Sequence, residues 1–168
     1  MYSLPRYLDY GINVGIGGDI LPADLVEEMR LAWVLGKHTN GTAHRPTCHE
    51  VYKAATVGSA DALGRDDLGR LAPGARADIV CVDLSRYHYG PVVDPVRSLV
   101  AFGKGQDVDS VYVDGRLVVD GGSVLNADEE ELKAAAPEIL RDLAHAASAR
   151  DPQGRTLEAI LELERIIG

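Results

Sequence analysis

The dipeptide Asp114-Gly115 constrains the fold of this chain more than any other feature of its sequence. It lies between two apolar runs, 110–113 and 116–119. Asp-Gly is a preferred pair for the two-residue turn of a β-hairpin, because both central positions of that turn have positive φ angles. We therefore expect an antiparallel hairpin here, and the glycine pair at 121–122 is expected to end its second arm.

The segment before the hairpin, residues 77–84, is apolar enough to be a central strand. A shorter β-like run at 69–71 precedes it, separated by a Pro-Gly turn at 73–74. Asp78 and Asp83 flank the expected strand, and a spacing of five residues places them on opposite faces of a regular strand. We interpret them as residues that bound the strand, rather than as a pair of catalytic carboxylates.

The N-terminal part of the chain predicts one strand followed by two helices. The run at 12–16 is rich in β-branched residues and is bounded by glycines, which predicts a short buried strand. Apolar residues then recur at helical spacing from a possible N-cap at Asp24 through Lys37. Thr47 followed by Glu50 has the spacing of a capping box, and predicts the start of the second helix.

Residues 128–168 predict a helical tail with two apolar faces. A break at 149–154 separates the two faces. Their residues are Leu132, Ala135, Ile139, Leu143 and Ala146, then Leu157, Ile160, Leu161, Leu163 and Ile166.

Charge and length exclude several classes of protein. The chain has 26 acidic and 17 basic residues and a net charge of −9, which repels nucleic acid and anionic lipid. The two cysteines, Cys48 and Cys81, form no disulfide framework, and the sequence contains no leader or membrane-length apolar segment. We expect a cytoplasmic protein without a membrane or nucleic-acid partner. Its 168 residues are too few for a complete (β/α)8 barrel.

Four motifs, in this order, carry a resemblance to a known family. The first two are Gly-Ile-Asn-Val-Gly-Ile-Gly-Gly-Asp at 11–19 and Glu-Glu-Met-Arg-Leu-Ala at 27–32. The third is Ala-Ala-Thr at 54–56, followed by Ala60 and by Leu-Gly at 63–64. The fourth is Gly-Arg-Leu-Ala-Pro-Gly-Ala-Arg-Ala-Asp-Ile-Val at 69–80. Together they resemble the last third of the amidohydrolase superfamily, in the branch of cytosine and guanine deaminases, chlorohydrolases and adenosine-derivative deaminases. The segments at 94–96 and 111–116 are also similar to that family.

The resemblance implies an α/β fold made of part of a (β/α)8 amidohydrolase barrel and two further pieces. Residues 1–66 are similar to the end of the barrel, with its last strand and helix. Residues 67–125 are similar to a segment of the composite β-sandwich, and residues 126–168 form the helical tail.

The resemblance also implies a metal-dependent hydrolase of non-peptide C–N or C–Cl bonds, acting on a small-molecule substrate. Asp19 falls at the position of the family's metal-binding aspartate, and is implied to be both a metal ligand and a catalytic residue. A carboxylate there can bind zinc or iron and can accept a proton from metal-bound water.

The chain departs from the family in two respects. It has Gly-Gly-Asp-Ile at 17–20, where the family has Gly-Thr-Asp-Gly, and the family's four histidines and its glutamate do not precede Asp19. The remaining histidines match no common zinc spacing and are expected in surface or capping roles. They are His38, His44, His49, His88 and His145.

Two hypotheses therefore remain open. In the first, the missing ligands come from a partner chain, a longer reading frame or a domain-swapped assembly. In the second, the chain is a non-catalytic remnant that acts as an oligomerising or interaction module. Both predict association, either as a homo-oligomer or with the missing barrel, through the run at 12–16 or the helix containing Trp33, because a doubly buried strand exposes apolar surface when it is alone.

Overall fold

The computed structural model of the chain describes residues 3–19, 23–156 and 159. The chain divides into two compact units, Met1–Leu125 and Asn126–Gly168. The first unit is mixed α/β. Its helices are α1 (Leu4–Asp9), α2 (Leu25–Asn40), α3 (Cys48–Lys53), α4 (Ser59–Ala62) and α5 (Pro95–Phe102), and its strands are β1 (Ile79–Val82), β2 (Val108–Val113), β3 (Arg116–Asp120) and β4 (Ser123–Val124). The second unit contains α6 (Glu129–Ala149).

Helix α2 begins at the expected N-cap and extends beyond its expected end. The Asp24 side chain accepts hydrogen bonds from the N–H groups of Val26 and Glu27, which satisfies donors that the first helical turn leaves free. The helix passes through Gly36, which is buried, and ends where Gly41 adopts a φ of 66°. A left-handed glycine is a common helix terminator, so the expectation of an end near Lys37 was three residues short.

Helices α3 and α4 are the two ends of one continuous helix. The Thr47–Glu50 capping box predicted from the sequence is present, with both reciprocal hydrogen bonds formed. Between α3 and α4 the backbone widens into a π-helical turn at Ala54–Gly58. No pattern in the sequence predicted this turn, since its residues continue the apolar stripe of the helix.

The core of the first unit lies among α2, α3 and α5. Val51 of α3 and Val100 of α5 are fully buried at its centre. The other buried members of the cluster are Val26, Met29, Cys48 and Ala55. The side chain of Trp33 packs against this cluster from one side, so the packing of α2, α3 and α5 depends on apolar burial.

The four strands form an antiparallel sheet in the order β1-β2-β3-β4. The predicted hairpin is confirmed, since Asp114 and Gly115 connect β2 to β3 with φ angles of 52° and 77°. Gly121 and Gly122 end β3 as expected and also form a second tight turn, with φ angles of 55° and 79°. This second turn leads into β4, which the sequence analysis did not predict.

The strand prediction for residues 77–84 was wrong in position and in extent. The segment 77–84 forms only β1, which lies at the edge of the sheet and not at its centre. The strand is short because Asp78 accepts the N–H of Asp114 at 2.7 Å and Asp83 accepts the N–H of Ser85 at 2.9 Å. The two aspartates thus bound β1, as expected.

The run at 69–71 forms no strand. Gly69 has a φ of 69°, and its Cα lies so close to the π turn that an added Cβ would stand 2.6 Å from the carbonyl oxygen of Thr56. Positive φ at this point is incompatible with extended strand geometry, so the chain turns instead.

The expected buried strand at 12–16 is also absent. Residues 12–19 have no strand hydrogen bonding, and Ile12 is 49% exposed. A strand requires backbone partners on a neighbouring strand, and none of the described strands pairs with this segment. Instead, the Ile16 backbone bonds with the Ser59 side chain, and the Asn13 side chain donates to the backbone carbonyl oxygen of Gly58.

Within the described residues, the second unit contains α6 and the turn that follows it. Asp128 caps the helix by accepting the N–H groups of Glu130 and Glu131. The predicted break after residue 149 is confirmed, but the second apolar face lies outside the described residues. Leu132, Ile139, Leu140 and Leu143 of α6 are exposed. None of the described helices has the length and hydropathy needed to cross a membrane.

Candidate active-site segment

Residues 12–19, which we call the Asp19 segment, are held against the α3–α4 helix by two side chains. The amide nitrogen of Asn13 donates to the carbonyl oxygen of Gly58 at 2.9 Å. The hydroxyl oxygen of Ser59 accepts the N–H of Ile16 at 3.1 Å and lies 3.2 Å from the carbonyl oxygen of the same residue. The segment is therefore fixed to a helix rather than to a sheet.

Asp19 lies at the end of this segment and is exposed. The nearby carboxylate of Glu28 approaches the same loop, with its Oε1 atom 3.9 Å from where a Cβ on Gly18 would stand. Across the described parts of the chain, no three His, Cys, Asp or Glu side chains converge as a metal site. Zinc in proteins usually takes three or four protein ligands. The described residues therefore do not by themselves fit a zinc or iron ion.

Among the described residues, the histidines form no metal-binding group with Asp19. His38, His44 and His145 are exposed. His49 lies in the first turn of α3, with its Nε2 atom 3.7 Å from Asp94. His88 makes the closest contact of the five, because its Nε2 atom lies 3.0 Å from Oδ2 of Asp107.

Asp107 is a buried charge that sequence reasoning missed. Its side chain is 1% exposed and its Oδ2 accepts the hydroxyl proton of Tyr89 at 2.7 Å and the N–H of Lys104 at 2.9 Å. Together with His88, and with Arg86 at 3.4 Å from Oδ1, these donors surround the carboxylate. No spacing in the sequence predicts that residues about twenty positions apart meet in this way. We call this group of five residues the Asp107 cluster.

The Asp107 carboxyl remains ionised because its hydrogen bonds outweigh the effect of burial. Burial alone raises the pKa of Asp107, but hydrogen bonds from Tyr89, Lys104 and His88 lower it below its ordinary value. Burial and the hydrogen bond to Asp107 raise the pKa of Tyr89. Since donors occupy the carboxylate oxygens, the Asp107 cluster has the geometry of a structural anchor rather than of a metal ligand or a base.

The 103–107 loop is also tied to α2. Asp24 caps that helix and, with its other carboxylate oxygen, accepts the N–H of Gly105 at 2.9 Å. Arg30 donates to the carbonyl oxygen of Gly103. These contacts join the helical core to the start of β2.

Comparison with known proteins identifies the class to which this chain belongs. A family model described as the amidohydrolase family matches residues 1–118. The chain therefore belongs to the amidohydrolase family.

Two curated relatives show which members of the family the chain is similar to. A 5-methylthioadenosine/S-adenosylhomocysteine deaminase of Pelotomaculum thermopropionicum is 39% identical over 133 residues, which cover 77% of this chain and 31% of the relative. A 5'-deoxyadenosine deaminase of Methanosarcina acetivorans is 36% identical, over 80% of this chain and 33% of the relative. The chain thus spans about a third of the length of these relatives.

Solved structures agree with this relationship. An adenosine deaminase from Xanthomonas campestris with bound zinc has a TM-score of 0.75 and 30% identity, covering 80% of this chain and 32% of that one. Atrazine chlorohydrolase from Arthrobacter aurescens, complexed with zinc, has a TM-score of 0.71 and 31% identity, covering 82% and 32%. Both neighbours contain zinc, whereas the described residues of this chain include no group of three His, Cys, Asp or Glu side chains that could hold a metal ion.

Proposed function

We propose that this chain forms the C-terminal third of a metal-dependent amidohydrolase that removes an amino group from a small molecule by hydrolysis. The observation that carries the proposal is the Asp19 segment, which is fixed to a helix in a chain whose first 118 residues match the amidohydrolase family. The adenosine derivatives in the names of the curated relatives suggest the substrate class.

The proposal gives each part of the chain a place in the complete enzyme. Residues 1–66 are the end of the barrel, with the run at 12–16 in the place of the last strand and α2 as the helix that follows it. Residues 67–125 are a segment of the composite β-sandwich, and residues 126–168 are a helical tail. The run at 12–16 acquires strand hydrogen bonds only when a neighbouring strand is supplied.

Asp19 is the residue of this chain that we assign to the metal site. Its exposed carboxylate contributes one oxygen ligand, and the remaining ligands come from the rest of the enzyme. A single carboxylate binds a divalent transition metal weakly, so the chain by itself is not expected to hold zinc or iron.

The exposed face of α2 supports association with the rest of the enzyme. Leu31, Val34 and Leu35 are 47%, 50% and 53% exposed, and their spacing of three and four places them on one side of the helix. An apolar stripe of this kind is normally covered by another element. We propose that the remaining part of the barrel covers it, while a second copy of this chain is the competing partner.

Reconstitution tests the proposed function. This chain is combined with the part of the Pelotomaculum relative that lies outside the matched region, and complex formation is measured by sedimentation. Release of ammonia from 5'-methylthioadenosine is then measured with added zinc. We expect a one-to-one complex that is active, and loss of activity in the Asp19→Ala variant but not in Asp120→Ala, which removes an exposed carboxylate from β3.

Each alternative has its own outcome in this experiment. Sedimentation of the isolated chain as a stable homo-oligomer that does not exchange with the added part favours the interaction module. A monomer at every concentration that also fails to form the complex contradicts the proposed association. An active complex in which Asp19→Ala has full activity contradicts the role of Asp19.

A further inference from the structure

The π turn at Ala54–Gly58 and the Asp19 segment fit against each other closely. A Cβ added to Gly58 would stand 2.5 Å from the carbonyl oxygen of Val14. A Cβ added to Gly15 would stand 3.0 Å from the Ser59 hydroxyl and 3.1 Å from the Ser59 Cα. Glycine at both positions therefore lets the backbone of the segment approach the backbone of the helix. Widened helical turns of this kind are often found at functional sites.

Two polar side chains act across this contact. Asn13 binds the helix at the Gly58 carbonyl, and three residues later Ile16 binds it through Ser59. The Ser59 hydroxyl also lies 3.0 Å from the carbonyl oxygen of Ala54 within the helix. Its single proton is thus shared between carbonyls of Ala54 and Ile16, while its lone pairs accept the Ile16 N–H.

The position of these anchors matters because the Asp19 carboxylate lies just beyond them. Asp19 is only three residues after Ile16, and an extended chain spans at most about 3.6 Å per residue. Its Cα therefore stays within about 11 Å of the Ile16 Cα. The two residues between them, Gly17 and Gly18, have the greatest conformational freedom of any residue type, so the last fixed point before the carboxylate is Ile16.

We propose that Asn13 and Ser59 are positioning residues for the Asp19 carboxylate, acting by fixing the segment to the π turn. This inference rests on the proposed function, in which Asp19 is a metal ligand. The Ser59 hydroxyl accepts the Ile16 N–H, which has no strand partner in the described structure, and the Asn13 amide donates to the Gly58 carbonyl of the helix. Removing the two polar groups deletes both hydrogen-bonded anchors and leaves the side chain of Ile16, which packs against the core cluster, in place.

Hydrogen exchange of the Ile16 amide in the complete chain tests the anchor directly. We expect Ser59→Ala to speed exchange of this amide by about tenfold, which corresponds to about 1.4 kcal/mol of local stability. Ser59→Thr retains a hydroxyl and should restore most of the protection. Thr56→Val is the matched control, because the Thr56 hydroxyl lies in the same turn but donates within the helix, to the carbonyl oxygen of Tyr52.

The zinc content of the reconstituted complex tests the consequence for Asp19. We expect Ser59→Ala and Asn13→Ala each to weaken zinc retention at least several-fold during dialysis against a weak chelator, while Thr56→Val does not. The anchor is overturned if Ser59→Ala leaves exchange of the Ile16 amide unchanged. It is also overturned if Ser59→Thr and Thr56→Val lose as much protection of this amide as Ser59→Ala does. Faster exchange with unchanged zinc retention overturns the positioning role.

The same measurements separate this inference from the proposed function. If Asp19→Ala leaves the zinc content of the complex unchanged, the proposed metal role of Asp19 fails, and the positioning role fails with it, whatever the Ile16 exchange shows. If Asp19→Ala abolishes zinc binding while Ser59→Ala changes nothing, the metal role stands and the positioning role alone is wrong.

Discussion

Replacing Asp107 with asparagine removes one buried charge while keeping the size of the side chain. The carboxylate oxygen Oδ2 accepts from Tyr89, from the N–H of Lys104 and at His88, and Arg86 faces Oδ1. Asparagine has one acceptor oxygen, which best replaces Oδ2. Its NH2 group then faces the Arg86 guanidinium, so that two donors oppose each other.

The cost of this substitution follows from the change in the three hydrogen bonds at Oδ2, which involve the Tyr89 hydroxyl, the Lys104 N–H and His88. Bonds to a charged group contribute about 1.5–3 kcal/mol each, and neutral bonds contribute about 0.5–1.5 kcal/mol. A loss of about 1 kcal/mol for each of the three gives about 3 kcal/mol at neutral pH, which is close to the cost of breaking a buried ion pair. We expect this reduction in the free energy of unfolding of the first unit.

The dependence on pH provides a second test of the same reasoning. The pKa of Asp107 is lowered in the folded protein, so its contribution is complete above its ordinary value of 3.8 and is lost as pH falls through the lower folded value. Below pH 3.8 the difference between wild type and Asp107→Asn should therefore shrink, by up to about 1.4 kcal/mol per pH unit.

Urea unfolding followed by Trp33 fluorescence is a suitable assay, because this is the only tryptophan and it packs against the core of the first unit. Asp109→Asn is the control, since that carboxylate is exposed on β2 and should change stability by less than about 0.5 kcal/mol. A loss below about 1 kcal/mol for Asp107→Asn, or the same loss at pH 7 and pH 3, would refute the argument.

Three further substitutions test close packing, helix capping and core burial, each measured by the same urea assay. Gly58→Ala should lower the free energy of unfolding of the first unit by about 1–3 kcal/mol, because the added Cβ would stand 2.5 Å from the Val14 carbonyl oxygen. An increase of about 1 kcal/mol, as expected for this change in an ordinary helix interior, would contradict the close contact. Thr47→Ala removes a capping box that is fully formed and should lower the free energy of unfolding by about 1 kcal/mol. An unchanged urea midpoint would show that the capping box does not stabilise the first unit. Val51→Ala empties a fully buried site and should cost roughly 2 kcal/mol, whereas a loss below about 0.5 kcal/mol would mean that the core collapses around the gap.

Local signals predicted the parts of the fold that depend on a few neighbouring residues. The Asp114-Gly115 turn, the Thr47–Glu50 capping box and the Asp24 N-cap were each visible in the sequence. In each case the residue type is selected by the local backbone geometry, through a positive φ angle or a free N–H group. The end of α2 was misplaced because Gly36 serves close packing against Pro46, where an added Cβ would stand 2.7 Å away.

Features that depend on distant partners were not predictable. The run at 12–16 has the composition of a buried strand, but a strand is defined by its neighbours, and here Asn13 and Ser59 take their place. The edge position of β1, the π turn and the Asp107 cluster likewise depend on residues far apart in the chain. For the candidate site, the resemblance identified Asp19, whereas the two side chains that hold its segment became visible only in the structure.

Metal stoichiometry tests the central claim most directly. Zinc and iron are measured by elemental analysis in the isolated chain and in the reconstituted complex, each with wild-type Asp19 and with Asp19→Ala. We predict little metal in the isolated chain, close to one ion per complex with wild-type Asp19, and clear loss with Asp19→Ala. One ion per isolated chain that is retained in Asp19→Ala, or a correctly formed complex without metal, would contradict the claim that this chain contributes Asp19 to a shared metal site.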